Sequence, residues 1–318
     1  MKIESTNLSE EIKKARPNLK DNTIKQYEMN LNKLKKLFDS DNYDFLSNID
    51  NVMSKIDNLH FTTQRNFLNA IIVLLMALNH NEKYDKLLEE YGKKRDDFND
   101  KYDEEQKSGV ISDKQSKNFA TIEEVYNGIN KMGEELKPVM KKKEFSKKEL
   151  QLLQAYVLFN IYARLPMRND LAGMIAIKKR DYNKLSEEEK KENNYLVIEK
   201  NGLFFVLNKY KTSKKYEELD IPVEDKDLKK LLRYYLRQNG LGILFKTSTG
   251  KPITRIELSK ILLKYSKKYM DKSISTTLLR KIYLSSKYGK MKEELEADNK
   301  VMGHSKEVAL NTYVKKAD

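Results

Sequence analysis

The run Asn194-Tyr195-Leu196-Val197-Ile198-Glu199-Lys200-Asn201-Gly202-Leu203-Phe204-Phe205-Val206-Leu207-Asn208 decides how this chain is read. Two segments rich in β-branched and aromatic residues flank Asn201-Gly202. Asn-Gly is a strong hairpin signal, because both central turn positions favour φ > 0. A third strand is predicted at Tyr216–Ile221, closed by Pro222. On either side of this small antiparallel sheet the apolar spacing becomes helical. Helices are predicted over Ile122–Leu136 and Ser146–Leu165 before it. After it come Asp225–Gln238, Ile253–Tyr269, Thr276–Tyr288, Lys290–Asn299 and Ser305–Lys315. Residues 121–318 are thus expected to form a mainly α domain built round a small antiparallel β-sheet.

Upstream the texture is helical throughout. One stripe runs through Ile24, Tyr27, Leu31, Leu34 and Phe38, with Asn22 or Thr23 as N-cap. A second follows at Leu46, Ile49, Val52, Met53, Ile56 and Leu59. A third, Thr62–Leu78, is apolar nearly all round after Phe67 and is expected to be the centre of a bundle. The fourth runs from Glu82 to about Tyr102 and carries Tyr84, Leu87, Leu88 and Tyr91 before it turns highly charged. Residues 1–108 are therefore expected to be a four-helix unit. Between Lys93 and Asn118 the apolar stripe is lost, so 109–120 is read as a linker.

Composition bounds the partners. Among 318 residues, Lys and Arg number 62 against 48 Asp and Glu, a net charge of +14. Such an excess favours a polyanion, above all nucleic acid; a Lys-rich surface drawn from an AT-rich genome is the plainer explanation. Only ten of the basic residues are arginine, the type whose fork holds a phosphate at two points. There is no cysteine, which excludes disulfides, zinc–thiolate sites and thiol catalysis. The longest apolar run, Ala70–Leu78, is too short for a membrane span, and Met1-Lys2-Ile3-Glu4-Ser5 lacks the apolar core of a secretory signal. With three histidines, His60, His80 and His304, no metal-ligand spacing appears. Neither a phosphate loop of the Walker type nor a Gly-x-Gly-x-x-Gly turn is present. No metal or cofactor is expected.

What remains is an ordered set of basic and hydroxyl residues. It comprises Arg168 in Leu165-Pro166-Met167-Arg168-Asn169-Asp170, Lys211 beyond the second strand, and Thr277-Leu278-Leu279-Arg280. Gly303-His304-Ser305 follows, then Tyr313, nine residues after the histidine. Taken singly, each has an ordinary explanation in a salt bridge, a solvated loop or core packing. Taken in order, they resemble the tyrosine recombinases of the phage-integrase type, relatives of the type IB topoisomerases. The resemblance spans the whole chain, with residues 1–108 in the place of a helical core-binding domain and 121–318 in that of the catalytic domain.

The chemistry agrees with that resemblance. Attack on a phosphodiester builds a pentacoordinate species more negative than the ground state, and preorganised cations stabilise it selectively. Arg168 and Arg280 suit that task. Tyr313 would be the nucleophile, forming a covalent phosphotyrosine that conserves bond energy without ATP or metal. The resemblance further implies a 3′-phosphotyrosyl link, Lys211 as general acid toward the 5′-hydroxyl, and His304 as hydrogen-bond donor to the phosphate. It also implies double-stranded DNA as partner, gripped by both domains as a clamp. A homo-oligomer is implied as well, a dimer on one site and a tetramer in synapsis.

Two departures stand out. Thr277 occupies the position where the family usually has His, and Thr is no base near neutral pH. Asp170 follows Arg168 by two residues rather than three, which keeps Arg164 open as the first arginine. Lys209, Lys214 and Lys215 compete with Lys211, while Lys141, Lys142 and Lys143 are assigned to the electrostatic footprint. A type IB topoisomerase and a silent DNA-binding protein are the alternatives to a recombinase. The expected setting is the cytoplasm of a prokaryote, or a virus or mobile element acting on DNA in a host cell.

Overall fold

The computed structural model describes residues 7–79, 82–109, 111, 113–213, 218–303, 305 and 308. It divides into two compact units, residues 1–111 and 112–318.

The first unit holds α1 (Leu8–Ala15), α2 (Asp21–Leu37), α3 (Ile49–Ile56), α4 (Phe61–Leu78) and α5 (Asp85–Ser108). The central α4 packs against α1, α2 and α5. By length and composition alone α4 could cross a membrane, yet Phe67, Leu68, Ile71, Leu74 and Leu75 are spent on the unit's own core. Helix α1 adds a fifth member to the four stripes of the sequence. It buries Ile12 against Ile24, Val73 and Ala77, a patch too brief to register as a repeat. Helix α5 continues through the charged stretch to Ser108 and closes on Gly109, whose φ of 68° is left-handed. Contacts along its length hold it to the unit. Tyr91 is fully buried and donates to the Leu46 carbonyl at 2.9 Å, and the Arg65 guanidinium lies 4.1 Å from the Tyr102 ring centre. Within the expected linker, Asp113–Ser116 forms the single turn α6.

The second unit opens with α7 (Ile122–Leu136) and α8 (Lys147–Arg164). Both start at capping boxes, Thr121 with Glu124 and Ser146 with Glu149, which satisfy otherwise orphaned amides. Helix α8 buries eleven residues and is the spine of the core. Next come β1 (Ile175–Lys178), the short helices α9 (Lys179–Tyr182) and α10 (Glu187–Glu192), β2 (Tyr195–Ile198), β3 (Leu203–Leu207) and β4 (Leu219–Pro222). The unit continues with α11 (Lys226–Asn239), β5 (Gly242–Ile243), α12 (Arg255–Met270) and α13 (Thr276–Met302).

The sheet is larger than the three antiparallel strands read from the sequence. Its order is β4-β3-β2-β1-β5, and β1 pairs parallel to β2. The hairpin is present, but its turn is displaced. Ile198 faces Leu203 in the register and Glu199 N–H donates to the Gly202 carbonyl at 3.0 Å, which centres the turn on Lys200-Asn201. Neither Asn201 nor Gly202 has positive φ. The reason is tertiary: the Arg233 guanidinium donates to the carbonyls of Glu199, Lys200 and Gly202 at 2.9, 3.2 and 3.3 Å. The two helices expected on either side of Gly289 are one continuous α13. A Cβ at Gly289 would touch nothing within 4 Å, so no packing contact forces a break there. Of the expected helix Ser305–Lys315, only Ser305 and Val308 are among the described residues.

Candidate functional site

Helix α8 ends at Arg164 because Leu165 precedes Pro166, and the residue before a proline is pushed out of the helical region. The chain then buries Met167 and enters a tight turn at Asn169–Leu171. Tyr162 donates its hydroxyl to the Arg168 carbonyl at 3.0 Å, fixing the backbone there. The Arg168 side chain is exposed. Among the described residues it has no hydrogen-bond or ion-pair partner. Arg280 approaches from the second turn of α13, and its Nε donates to the Pro166 carbonyl at 3.2 Å. One guanidinium is thereby tied to the segment that carries the other.

Both arginines line a hollow of about 500 Å³ together with Asp170, Leu207, Tyr210 and Thr212. Beneath it Asp170 is only 5% exposed and pairs with Arg255 Nη2 at 2.9 Å. Burial pushes the Asp170 carboxyl above its ordinary value, while the charges of Arg255, Arg168 and Arg280 pull it down. Three guanidiniums against one buried carboxylate leave the hollow net positive and receptive to an anion.

Lys211 follows β3 in an exposed turn. Its neighbours Tyr210 and Thr212 line the hollow but Lys211 itself does not. Lys209 borders a different hollow beside Glu187, Lys190 and Glu218, and Lys214 and Lys215 lie outside the described residues. Thr277 is exposed, one turn before Arg280, and does not line the hollow. Arg164 is committed elsewhere: it pairs with Asp225 at 3.2 Å and bonds Asn160 Oδ1 at 2.8 Å. That leaves Arg168 as the arginine of this segment that faces the hollow. Lys142, assigned above to a general electrostatic footprint, is paired with Glu149 at 2.5 Å, whereas Lys141 and Lys143 are exposed. His304 and Tyr313 lie outside the described residues. Among the described residues, no three His, Asp or Glu side chains converge as a metal site requires.

Two residues at the site carry no signal in the sequence. Arg255 opens α12 as an ordinary first-turn arginine, yet it neutralises Asp170 across 85 residues. Asn194 reads as punctuation before a strand, yet its side chain is buried and links the Asp170 turn to the exit of β3.

No family model matches the chain, and no curated protein matches it in sequence. Among solved structures it is similar to XerH site-specific recombinase bound to difH substrate, a pre-cleavage complex. The similarity covers 96% of this chain and 85% of that one at 14% identity, with a TM-score of 0.47.

Proposed function

We propose that this protein is a DNA strand transferase of the tyrosine-recombinase kind, which cuts and rejoins duplex DNA through a 3′-phosphotyrosyl intermediate. The observation that carries the reading is the meeting of Arg168 and Arg280. They come from elements more than a hundred residues apart and line one positive hollow beside the turn that bears Lys211. Among the described residues no salt bridge or core contact engages the Arg168 side chain, which is exposed.

In this reading a backbone phosphate enters the hollow, and the two forks bind its non-bridging oxygens. Their hold strengthens as charge accumulates on phosphorus. The Tyr313 oxygen attacks, the tyrosyl O–P bond forms, and the bond from phosphorus to the 5′ oxygen breaks. Lys211 gives its proton to that departing oxygen, and His304 donates to the phosphate from the opposite side. The phenolic proton passes to solvent water, because Thr277 can donate a hydrogen bond to the phosphate but cannot take that proton. Rejoining is the reverse, so no external energy source is consumed. Exchange between two duplexes would bring four protomers together.

The test is incubation with suicide duplexes, nicked beside candidate sites, followed by a denaturing gel. Wild type should form a covalent adduct that Tyr313→Phe abolishes. Salt-sensitive DNA binding with no adduct across a broad site library would instead identify a silent binder. Relaxation of plasmids lacking any target site would move the assignment to a topoisomerase.

A further inference from the structure

Asn194 sits just before β2 with its side chain 6% exposed. Its Nδ2 donates to the Asp170 carbonyl at 2.9 Å and to the Lys209 carbonyl at 3.2 Å. Its Oδ1 accepts from the amides of Asn208 at 3.0 Å and Lys209 at 2.8 Å. Every donor and acceptor of the amide is therefore used, across separations of 24 and 15 residues. The ladder of β3 ends at Leu207, so the next two amides have lost their strand partner. Asn194 replaces that partner with a side chain.

The two halves of this connection are not equally redundant. On the Asp170 side the turn has other anchors, the Arg255 ion pair at 2.9 Å and the Tyr162 bond to Arg168 at 3.0 Å. On the β3 side the exit is also held by Asn208 Nδ2 on the Asn193 carbonyl at 3.3 Å and by the buried Tyr210 ring, but the amide and carbonyl of Lys209 have no partner other than Asn194 among the described residues. Lys211 lies two residues further on.

We infer that Asn194 is a positioning residue that holds the Lys211 turn at a fixed distance from the arginines, so that a proton donor stands opposite the leaving oxygen. The inference rests on the strand-transfer reading and deepens it. Losing the Asn194 amide leaves the Lys209 backbone without its partner and loosens the turn that bears the acid, while the phosphate clamp stays anchored. The defect should therefore fall on leaving-group protonation and spare phosphate binding.

A duplex with sulfur in place of the 5′-bridging oxygen at the scissile phosphate separates these effects. A thiol is far more acidic than an alcohol, with a pKa of about 8.5, so the sulfur departs as thiolate with no proton donor. Single-turnover cleavage of the oxygen duplex should fall on the order of 10²-fold for Lys211→Ala, and 10- to 10²-fold for Asn194→Ala. On the sulfur duplex both variants should return to within about threefold of wild type, while Arg168→Ala stays slow on both substrates. Asn194→Ala equally slow on the two duplexes would overturn the inference, because a purely structural defect ignores the leaving group. If Asn194→Ala fails to melt cooperatively, Asn194→Asp carries the same comparison, since it keeps the size and the acceptor while losing both donors. Wild type that forms no adduct with either duplex would refute the strand-transfer reading itself.

Discussion

Arg280 spends one nitrogen on the Pro166 carbonyl at 3.2 Å and keeps the outer edge of its fork for the hollow. Lysine has donors for both but not the planar fork that holds the carbonyl on one edge and an anion on the other in fixed geometry. Arg280→Lys should therefore keep the fold, with a melting temperature near wild type, while strand cleavage falls on the order of 10²-fold. Single-turnover adduct formation beside a thermal melt checks both halves, and unchanged cleavage would remove Arg280 from the site. Arg168 and Arg280 were recognisable as candidates because a fixed order of a few distinctive residues survives when each is ambiguous alone. Arg255 and Asn194 were not, since their importance lies in partners 85 and 24 residues away, and no local pattern marks them. Arg164, four residues from Arg168 and of the same type, differs from it in being paired with Asp225, a partner 61 positions on that no local pattern marks.

Helix α8 positions that segment, and its start is an electrostatic device as much as a hydrogen-bonding one. The Glu149 carboxyl closes the capping box, accepts from Lys142 and is held at about 2, against an ordinary 4.5. A carboxyl depressed in the folded state stabilises fully above its unfolded value, and that contribution is lost as pH falls toward the folded one. Thermal melts of wild type and Glu149→Gln should therefore differ most above about pH 5 and converge near pH 2. A gap that stays constant with pH would show that the charge is not responsible. Where two helices meet, Gly128 of α7 is constrained by space: a Cβ there would lie 2.4 Å from the Met270 side chain of α12. Gly128→Ala should cost about 1–3 kcal/mol, read in chemical denaturation, because the added methyl must displace Met270. Such facts explain how far elements could be read from the sequence. Long helices with caps, α7, α8 and α12, were visible because propensity, pattern and capping agree. Strands β1 and β5, of four and two residues, exist through their pairing alone. The hairpin turn slipped by one residue because Arg233, from a helix more than thirty residues on, grips its carbonyls.

For the whole molecule, each of the two units carries a hydrophobic core of its own. Among the described residues, the large core that includes Leu153, Phe159, Phe205, Leu232 and Leu262 draws only on the second unit, and the cluster around Leu31, Leu68 and Tyr91 only on the first. Residues 112–318 expressed alone should therefore unfold cooperatively, and a featureless melt would refute the division. That fragment also isolates the role of charge. The net +14 of the chain supports DNA binding through release of counterions, and each phosphate neutralised adds about 0.9 to the slope of log affinity against log salt. If residues 1–111 contact DNA, as the strand-transfer reading requires, the full chain must show a steeper slope than the fragment on the same duplex. Fluorescence anisotropy across a salt series measures both. Equal slopes would mean that the first unit leaves the phosphates untouched, and the grip on the duplex would then have to come from the second unit alone.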